Sequence, residues 1–363
     1  MGAPLVLSPE QVTAAIPTVL RFSQAHFVSQ CLLAFVKLGI PDVIGNEKLA
    51  VEDIAKALPE GTVVQALGRM LRVLTCHGVV DESAGPHGEF MYSLTTAGAL
   101  LQTKAQQLSL ACGVVALIGQ PMWSTFGLLP DHIEGKTTAD PFEQHCHLKV
   151  HDAMKIPGDE YAASLNEFAS FFSTLEMEAV FKADFLNELS GKTLVDLGGH
   201  RGDPSPGTMM GKIAKTHPGI TCVAFDLPQV IEKAGEPPEG VTFAKGDVFD
   251  ASTIPKADGI FMKHMLADFS DGQVERILAN CHEVLPDGGR IFLGEPVLPA
   301  AGAITLELSP TIFFDFLLMV VGGCHRTHRQ WDALAKASGF QVIGVEGNVP
   351  LCRIITLEKI LQI

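Results

Sequence analysis

The residues best placed to do chemistry are acids at the ends of apolar runs. In LVDLGGHRG (194–202) a strand-like run carries Asp196 and ends in Gly198 and Gly199. Glycines there let a backbone approach a ligand at the strand's carboxyl end. The run TCVAFDLP ends in Asp226, and Asp247 follows in KGDVF. An acid closing the second strand can accept hydrogen bonds from the two hydroxyls of a ribose. An acid one strand further on falls where the amino edge of an adenine could be read. A glycine turn alone is a weak signal, but the three features in this order point to an adenosine-containing cofactor.

Strands and helices must alternate to bring these residues together. From residue 191 the runs KTLVDLGG, TCVAFDLP, ADGIFMKHML and GGRIFLGEPVLP read as strands, with a helix at VERILANCHEVL before the last of them. QVIGVEGN and CRIITLEK add two more strands. Such alternation, with strands ending in Gly or Asp, predicts an α/β fold with a doubly wound, Rossmann-like sheet. Residues 1–110 read differently: helices at 25–44, 51–59 and 63–80, then a hairpin of GVVDES and GEFMYSLT around AGPHG. Helices followed by a hairpin make a winged-helix-like pattern, which suits DNA binding or dimerisation. Residues 111–190 are mostly helical, and FASFFSTLEMEAVF (168–181) can be ordinary core or the lining of an apolar pocket. IFFDFLLMVVGG (312–323), interrupted by Asp315, reads as a buried helix too short to span a bilayer.

Composition narrows the function. The 363 residues are 47% hydrophobic and 18% charged, which suits two packed domains rather than a disordered chain. A formal net charge of −15 disfavours nucleic acid and anionic membranes as partners and favours the dimerisation reading of the first domain. The eight cysteines form no CxxC pair, and no signal-like segment opens the chain, so a reduced, cytoplasmic setting is expected. QHCHLKVH (144–151) sets His147 and His151 at i, i+4. That spacing can hold a metal on one helix face, but surface or pocket-lining histidines are the plainer reading, and no metal is expected.

The series LVDLGG, FDLP, GDVF, FMKH, LPDGGRIFLGEPVLP and GGCHRT resembles the S-adenosylmethionine-dependent small-molecule O-methyltransferases of the caffeate and acetylserotonin type. The resemblance covers most of the chain. It implies a homodimer formed through residues 1–110, a helical pocket segment at 111–190 and a cofactor domain at 191–363. It implies S-adenosylmethionine contacts at Asp196, Gly198 and Gly199, at Asp226 and Leu227, at Asp247 and Val248, and at Lys263 and Phe269. Phe168 and Phe172 of the aromatic run, with His264 and Phe314, are candidate contacts for the substrate. The turn departs from the family pattern: GGHRG replaces GGGTG, and DPSPGTMM follows as an insertion. That leaves His200 and Arg201 as candidate anion contacts.

Ala267 is the sharpest departure. It stands where this family keeps a histidine that deprotonates a hydroxyl, and the two acids that position that histidine read here Glu295 and His325. A general base is worth about 10²–10⁴-fold, and alanine offers none. A thioether sulfur needs none, because it attacks with a lone pair and loses no proton. The sequence is therefore also similar to the thioether S-methyltransferases of dimethylsulfoniopropionate synthesis, whose acceptor is 4-methylthio-2-hydroxybutyrate. In that reading Asp268, Glu295 and His325 shape the catalytic field, and Arg326 joins His325, His200 and Arg201 as anchors for the acceptor's carboxylate. The alternatives are an O-methyltransferase whose base has moved to His325 or His264, a member that binds the cofactor without methylating, and a regulatory binding protein.

Overall fold

A seven-stranded sheet organises the second half of the chain. Its strands are β4 (Thr193–Leu197), β5 (Thr221–Asp226), β6 (Val241–Lys245), β7 (Gly259–Lys263), β8 (Arg290–Glu295), β11 (Phe340–Val349) and β12 (Cys352–Lys359). Their spatial order is β11-β12-β8-β7-β4-β5-β6, and the short β9 (Val297–Leu298) and β10 (Arg326–Thr327) pair with each other apart from it. β4 through β8 pair in parallel, while β12 runs antiparallel to both β8 and β11. Chain order reverses between β4 and β7, so the carboxyl ends of these two strands flank the crevice where such sheets bind ligands. The computed structural model describes residues 5–104, 108–181, 183–199, 207–349 and 352–361. His200, Arg201 and residues 203–206 of the predicted insertion lie outside the described residues.

The β4–β8 strands are nearly continuous apolar runs because helices cover both faces of the sheet. Val274, Ile277, Leu278 and Cys281 of the helix Asp271–Val284 and Trp331 and Leu334 of the helix His328–Ala337 pack one face, with Ile260, Met262 and Leu293. Met209, Met210 and Ile213 of the helix Thr208–Thr216 pack the other, with Phe185, Phe261 and Phe292. Both helices on the first face begin with a capping box, Ser270 with Gln273 and Thr327 with Gln330. In each box a hydroxyl and an amide satisfy backbone N–H groups that the first helical turn leaves unpaired. These boxes fix where the chain enters both helices, a constraint that matters for the turn that precedes the first of them.

The chain divides into two compact units, residues 1–124 with 157–168, and 125–156 with 169–363. The helix Glu160–Phe181 runs from one into the other. The first unit holds the predicted hairpin as β2 (Val80–Ala84) and β3 (Phe90–Leu94), with the short β1 (Leu49–Ala50) added to β3. The predicted helices are present as Val51–Ala57 and Val64–Cys76, while the predicted 25–44 run is divided at Gly39. Its first part belongs to a 29-residue helix, Pro9–Lys37, started by a capping box of Ser8 and Gln11.

One expectation fails. IFFDFLLMVVGG forms a helix, Ser309–Val320, but Phe313 is 69% exposed and only Thr311 and Val320 are buried. Its hydrophobicity runs round the helix, yet this unit covers only one side of it.

Along Pro9–Lys37 only Phe35 is buried, and Val12, Ile16, Val19 and Phe22 are exposed. By length and composition alone this helix is long and apolar enough to cross a membrane. A stripe of this extent is more than soluble monomers usually expose and calls for a partner surface. Light scattering coupled to size exclusion should give a dimer for the intact protein. The pair Val19→Glu with Phe22→Glu should shift it toward monomer with the circular dichroism of the fold retained.

Candidate functional site

The crevice begins at the end of β4. Gly198 has φ +76°, and a Cβ there would lie 2.9 Å from Met265 Sδ. A Cβ on Gly199 would lie 2.6 Å from Asp196 Oδ2. Two side chains would close this corner, so the glycines keep backbone available to a ligand. At the end of β5, Asp226 Oδ1 accepts from the Leu227 N–H at 2.7 Å. After β6, Asp247 is exposed, and its Oδ1 accepts from the Phe249 N–H at 2.9 Å. The Val248 carbonyl accepts from Asn280 Nδ2 at 2.8 Å. Phe249 and Phe269 meet edge to face at 5.4 Å, and the Arg276 guanidinium lies 5.2 Å from the Phe249 ring. A glycine corner, an acid on the next strand and an aromatic pair beyond it fit an adenosine group. Gly198, Gly199, Asp226 and Phe269 are the residues that would hold it.

Across the crevice, β7 ends in Lys263 and runs into the turn Leu266–Asp268. His264 begins that turn with φ +49° and donates its N–H to the Gly294 carbonyl at 3.1 Å. A left-handed conformation is uncommon outside glycine, though histidine is among the residues enriched there. The turn is held from beneath. Glu295 Oε1 accepts from the Leu266 N–H at 3.1 Å. Arg326 donates from Nη1 to the Leu266 carbonyl at 3.0 Å, from Nη2 to the Phe269 carbonyl at 2.7 Å and from Nε to Asp271 Oδ1 at 2.9 Å. Its guanidinium also lies over the Trp331 ring at 5.3 Å. With 1% of its surface exposed and three of its nitrogens engaged, Arg326 anchors the turn and has no edge to offer an acceptor carboxylate.

Lys263 also departs from expectation. Its ammonium lies 2.6 Å from Ser173 Oγ and 3.8 Å from Glu176 Oε2, both on the helix Glu160–Phe181. That helix is tied to the strand end, and the lysine charge is compensated inside the protein. His264 Nε2 is 2.8 Å from Glu176 Oε1, and Nδ1 is 4.0 Å from Glu295 Oε2. Burial pulls the His264 pKa down, but Glu176 and Glu295 outweigh it, leaving it above the usual histidine value. Burial pushes the Glu295 carboxyl up to about 7, with Asp268 adding to the rise and His264 opposing it. Glu176 was not anticipated; it is one of two acids, with Glu178, in the run 168–181, and nothing local in the sequence distinguishes the two.

Ala267 is buried, and its carbonyl accepts from the Cys324 N–H at 2.8 Å. A Cβ on Gly323 would lie 2.8 Å from that carbonyl, so glycine is required for the approach. His325 is thereby held beside the turn. Its N–H donates to Asp315 Oδ1 at 2.8 Å, and its buried Nδ1 finds no hydrogen-bond partner among the described residues. Burial, then the nearby His264 and Arg326 charges, pull its pKa down to about 4. Asp268 faces a residue from a distant part of the chain: His151 Nε2 is 3.3 Å from Asp268 Oδ2.

The aromatic candidates separate. Phe172 meets Phe314 edge to face at 5.1 Å, and Phe126 stacks with Phe316 at 6.1 Å. Phe168 belongs to the first unit, where it is buried against Gly113. His147 caps the helix Pro141–Cys146. Neither it nor His151 joins a metal-like cluster among the described residues, where Glu176, His264 and Cys352 alone bring three ligand atoms within 4.8 Å.

A doubly wound sheet with a glycine corner, a strand-end acid and an aromatic pair at its switch point defines a nucleoside-binding transferase domain, here an S-adenosylmethionine-dependent methyltransferase. The O-methyltransferase domain matches residues 132–341 and the O-methyltransferase dimerisation domain residues 20–104, so the chain belongs to the O-methyltransferase family. It is similar to caffeic acid 3-O-methyltransferase of Catharanthus roseus, 30% identical over 90% of this chain and 87% of that protein. It is likewise similar to nicotinate N-methyltransferase 1 of Glycine max, 31% identical over 92% of this chain and 93% of that protein. In fold it is similar to a methyltransferase of calicheamicin biosynthesis in its S-adenosylhomocysteine-bound form, with a TM-score of 0.79 at 22% identity, covering 98% of this chain and 100% of the other. The likeness to thioether S-methyltransferases finds no support in these matches.

Arg326→Met should cost roughly 1–3 kcal/mol for each buried carbonyl left without its donor, read as a lower urea midpoint. His325 titrates in the folded protein near 4, against about 6.5 when unfolded. The unfolded chain therefore takes up this proton first. The stability that a neutral His325 contributes is complete above pH 6.5 and is lost as pH falls toward 4. Urea titrations across that window should show a shallower acid loss for His325→Leu than for the wild type.

Proposed function

We propose that this protein transfers the methyl group of S-adenosylmethionine to an oxygen of a small acceptor with an apolar body, and that the proton is taken by a base displaced from position 267. The observation that carries this reading is the grouping about Ala267. Alanine accepts no proton, yet Asp268, Glu295, His264 and His325 converge on the same turn. The Phe172–Phe314 pair supports an apolar, ring-sized acceptor, as does the name of the caffeic acid relative.

S-adenosylmethionine supplies an electrophilic methyl carbon on a sulfonium. The protein's part is to align an acceptor oxygen with that carbon, exclude water and accept a proton. Asp268, and Glu295 in its ionised fraction, give the turn negative charge, which favours a cationic donor held near it. The two bases suggested by sequence are both poorly matched to the task. His264 has Glu176 and Glu295 around its ring and is biased toward its charged form. His325 is neutral, but a conjugate acid of pKa about 4 makes it a weak acceptor near neutral pH.

A second reading rests on Ala267 and on the nicotinate N-methyltransferase relative. A pyridine-type nitrogen, like a thioether sulfur, attacks with a lone pair and needs no base. The sulfur version has Ala267 alone in its favour.

The test is a panel assay with S-adenosylmethionine and three acceptors: caffeic acid, nicotinate and 4-methylthio-2-hydroxybutyrate. S-Adenosylhomocysteine and methylated product are followed by mass spectrometry. Methylation of a caffeic acid hydroxyl is the expected result. Methylation confined to nitrogen or sulfur would replace this reading with the lone-pair one, and cofactor binding with no transfer to any acceptor would remove both.

A further inference from the structure

Three metal-ligating side chains that no sequence spacing links meet where β7 ends. Glu176 comes from the helix Glu160–Phe181, His264 follows β7, and Cys352 opens β12. A carboxylate oxygen, a ring nitrogen and the Cys352 Sγ lie within 4.8 Å of one another. Glu176 and Cys352 are 2% and 1% exposed, while the His264 side chain is 30% exposed. Charge compensation explains why Glu176 sits beside His264 and Lys263. It does not explain a thiol brought to the same point, for which the rival account is a cysteine serving only as a small apolar side chain.

One oxygen, one nitrogen and one sulfur donor suit a borderline-soft divalent ion such as Zn²⁺, not Mg²⁺ or Ca²⁺, which take oxygen ligands. Bond lengths of about 2.0–2.3 Å in a tetrahedral site set donor atoms about 3.3–3.7 Å apart. The three atoms need to close by about 1 Å at most, which side-chain rotation supplies. Glu176 also has acceptor capacity in hand. Its buried Oε2 makes no hydrogen bond among the described residues, and Lys263 Nζ stands 3.8 Å from it. His264 is flanked as a ligating histidine usually is, with a carboxylate by the ring nitrogen that does not bind the ion. Its Nε2 faces Glu176 Oε1 at 2.8 Å, and Glu295 Oε2 is 4.0 Å from Nδ1. The Lys263 charge opposes a second cation, but a carboxylate and a thiolate together neutralise the ion itself.

We propose that Glu176, His264 and Cys352 form a binding site for one Zn²⁺ ion. The ion takes the place of the proton between His264 Nε2 and Glu176 Oε1 and bonds to both atoms and to Cys352 Sγ. The ring proton and the thiol proton pass to solvent, as ligands must be deprotonated to bind a metal. Water completes the fourth position, which the partial exposure of His264 admits. The bound ion ties together the helix Glu160–Phe181, β7 and β12, three elements distant in the chain. The site is independent of which acceptor atom is methylated.

The experiment uses the full chain, stripped with a chelator and kept reduced, titrated with Zn²⁺ by calorimetry and with Co²⁺ by absorption. One Zn²⁺ per chain is expected, with a Kd on the order of micromolar or tighter. Co²⁺ should give the charge-transfer band of a thiolate ligand. Cys352→Ser should abolish that band, and it should weaken Zn²⁺ by at least about tenfold. Glu176→Gln should weaken Zn²⁺ similarly, as should His264→Asn, since asparagine tolerates the backbone at φ +49°. Replacing the exposed Cys76 and Cys324 with serine should leave the band in place. Zinc-edge X-ray absorption of the unaltered chain needs no variant to fold, and should find one sulfur among lighter neighbours. A coordination shell with no sulfur, or with two, overturns the site. So does the absence of binding, or binding that Cys352→Ser and Glu176→Gln leave unchanged; Cys352 is then core packing alone.

Discussion

The guanidinium of Arg326 is the interaction on which the site depends. It donates to the carbonyls of Leu266 and Phe269, at the two ends of the turn that carries Ala267 and Asp268. Glu295 holds the same turn through the Leu266 N–H. A turn leaving a buried parallel strand has backbone groups that no ladder satisfies, and each would be costly to leave unmade. Arginine suits this position because one planar group can serve several acceptors at fixed angles. Capping boxes at Ser270 and Thr327 pin the chain just beyond the turn and just beyond the arginine. The geometry around Ala267 is therefore set by backbone hydrogen bonding before any catalytic side chain is considered.

Around that frame lies a dense set of buried charges: Lys263, Glu176, His264, Glu295 and Arg326. Isolated, each would be expelled or neutralised, but in sequence they compensate one another. The set also fixes proton affinities. It biases His264 toward its charged form and leaves His325 neutral. Glu176 and Glu295 thus drive His264 toward its charged form, while burial and the His264 and Arg326 charges drive His325 toward its neutral one, a pattern that marks functional sites more often than structural ones.

Much of this was legible in the sequence, and the limits of legibility have physical causes. Strand-end acids and glycines follow from local periodicity and turn chemistry, so β4, β5 and β7 and the corner at Gly198–Gly199 could be read directly. The antiparallel close of the sheet by β11 and β12 was visible as two strands, though not their placement. The His151–Asp268 approach was not legible, because it joins residues more than a hundred positions apart and leaves no spacing signature. HxxxH within 144–151 has the spacing for one helix face, though no metal was expected there, and His147 in fact caps one helix while His151 lies in the next. Arg326 was read both as an anchor and as a substrate contact, and only its three hydrogen bonds decide between them. The Ser309–Val320 helix was taken as buried because its composition is apolar all round, and composition alone does not say which face a neighbour covers.

β12 has a consequence for how the chain is made. It lies between β8 and β11, and its Arg353 pairs with Glu295 at the end of β8. The strand that presents Glu295 thus lacks one of its two neighbours until residues 352–359 have left the ribosome. Until then β8 and β11 each carry an open edge facing the gap, the kind of template that invites pairing with other chains. Translation errors that stop synthesis short of β12 would yield an aggregation-prone protein even with every predicted site residue already present.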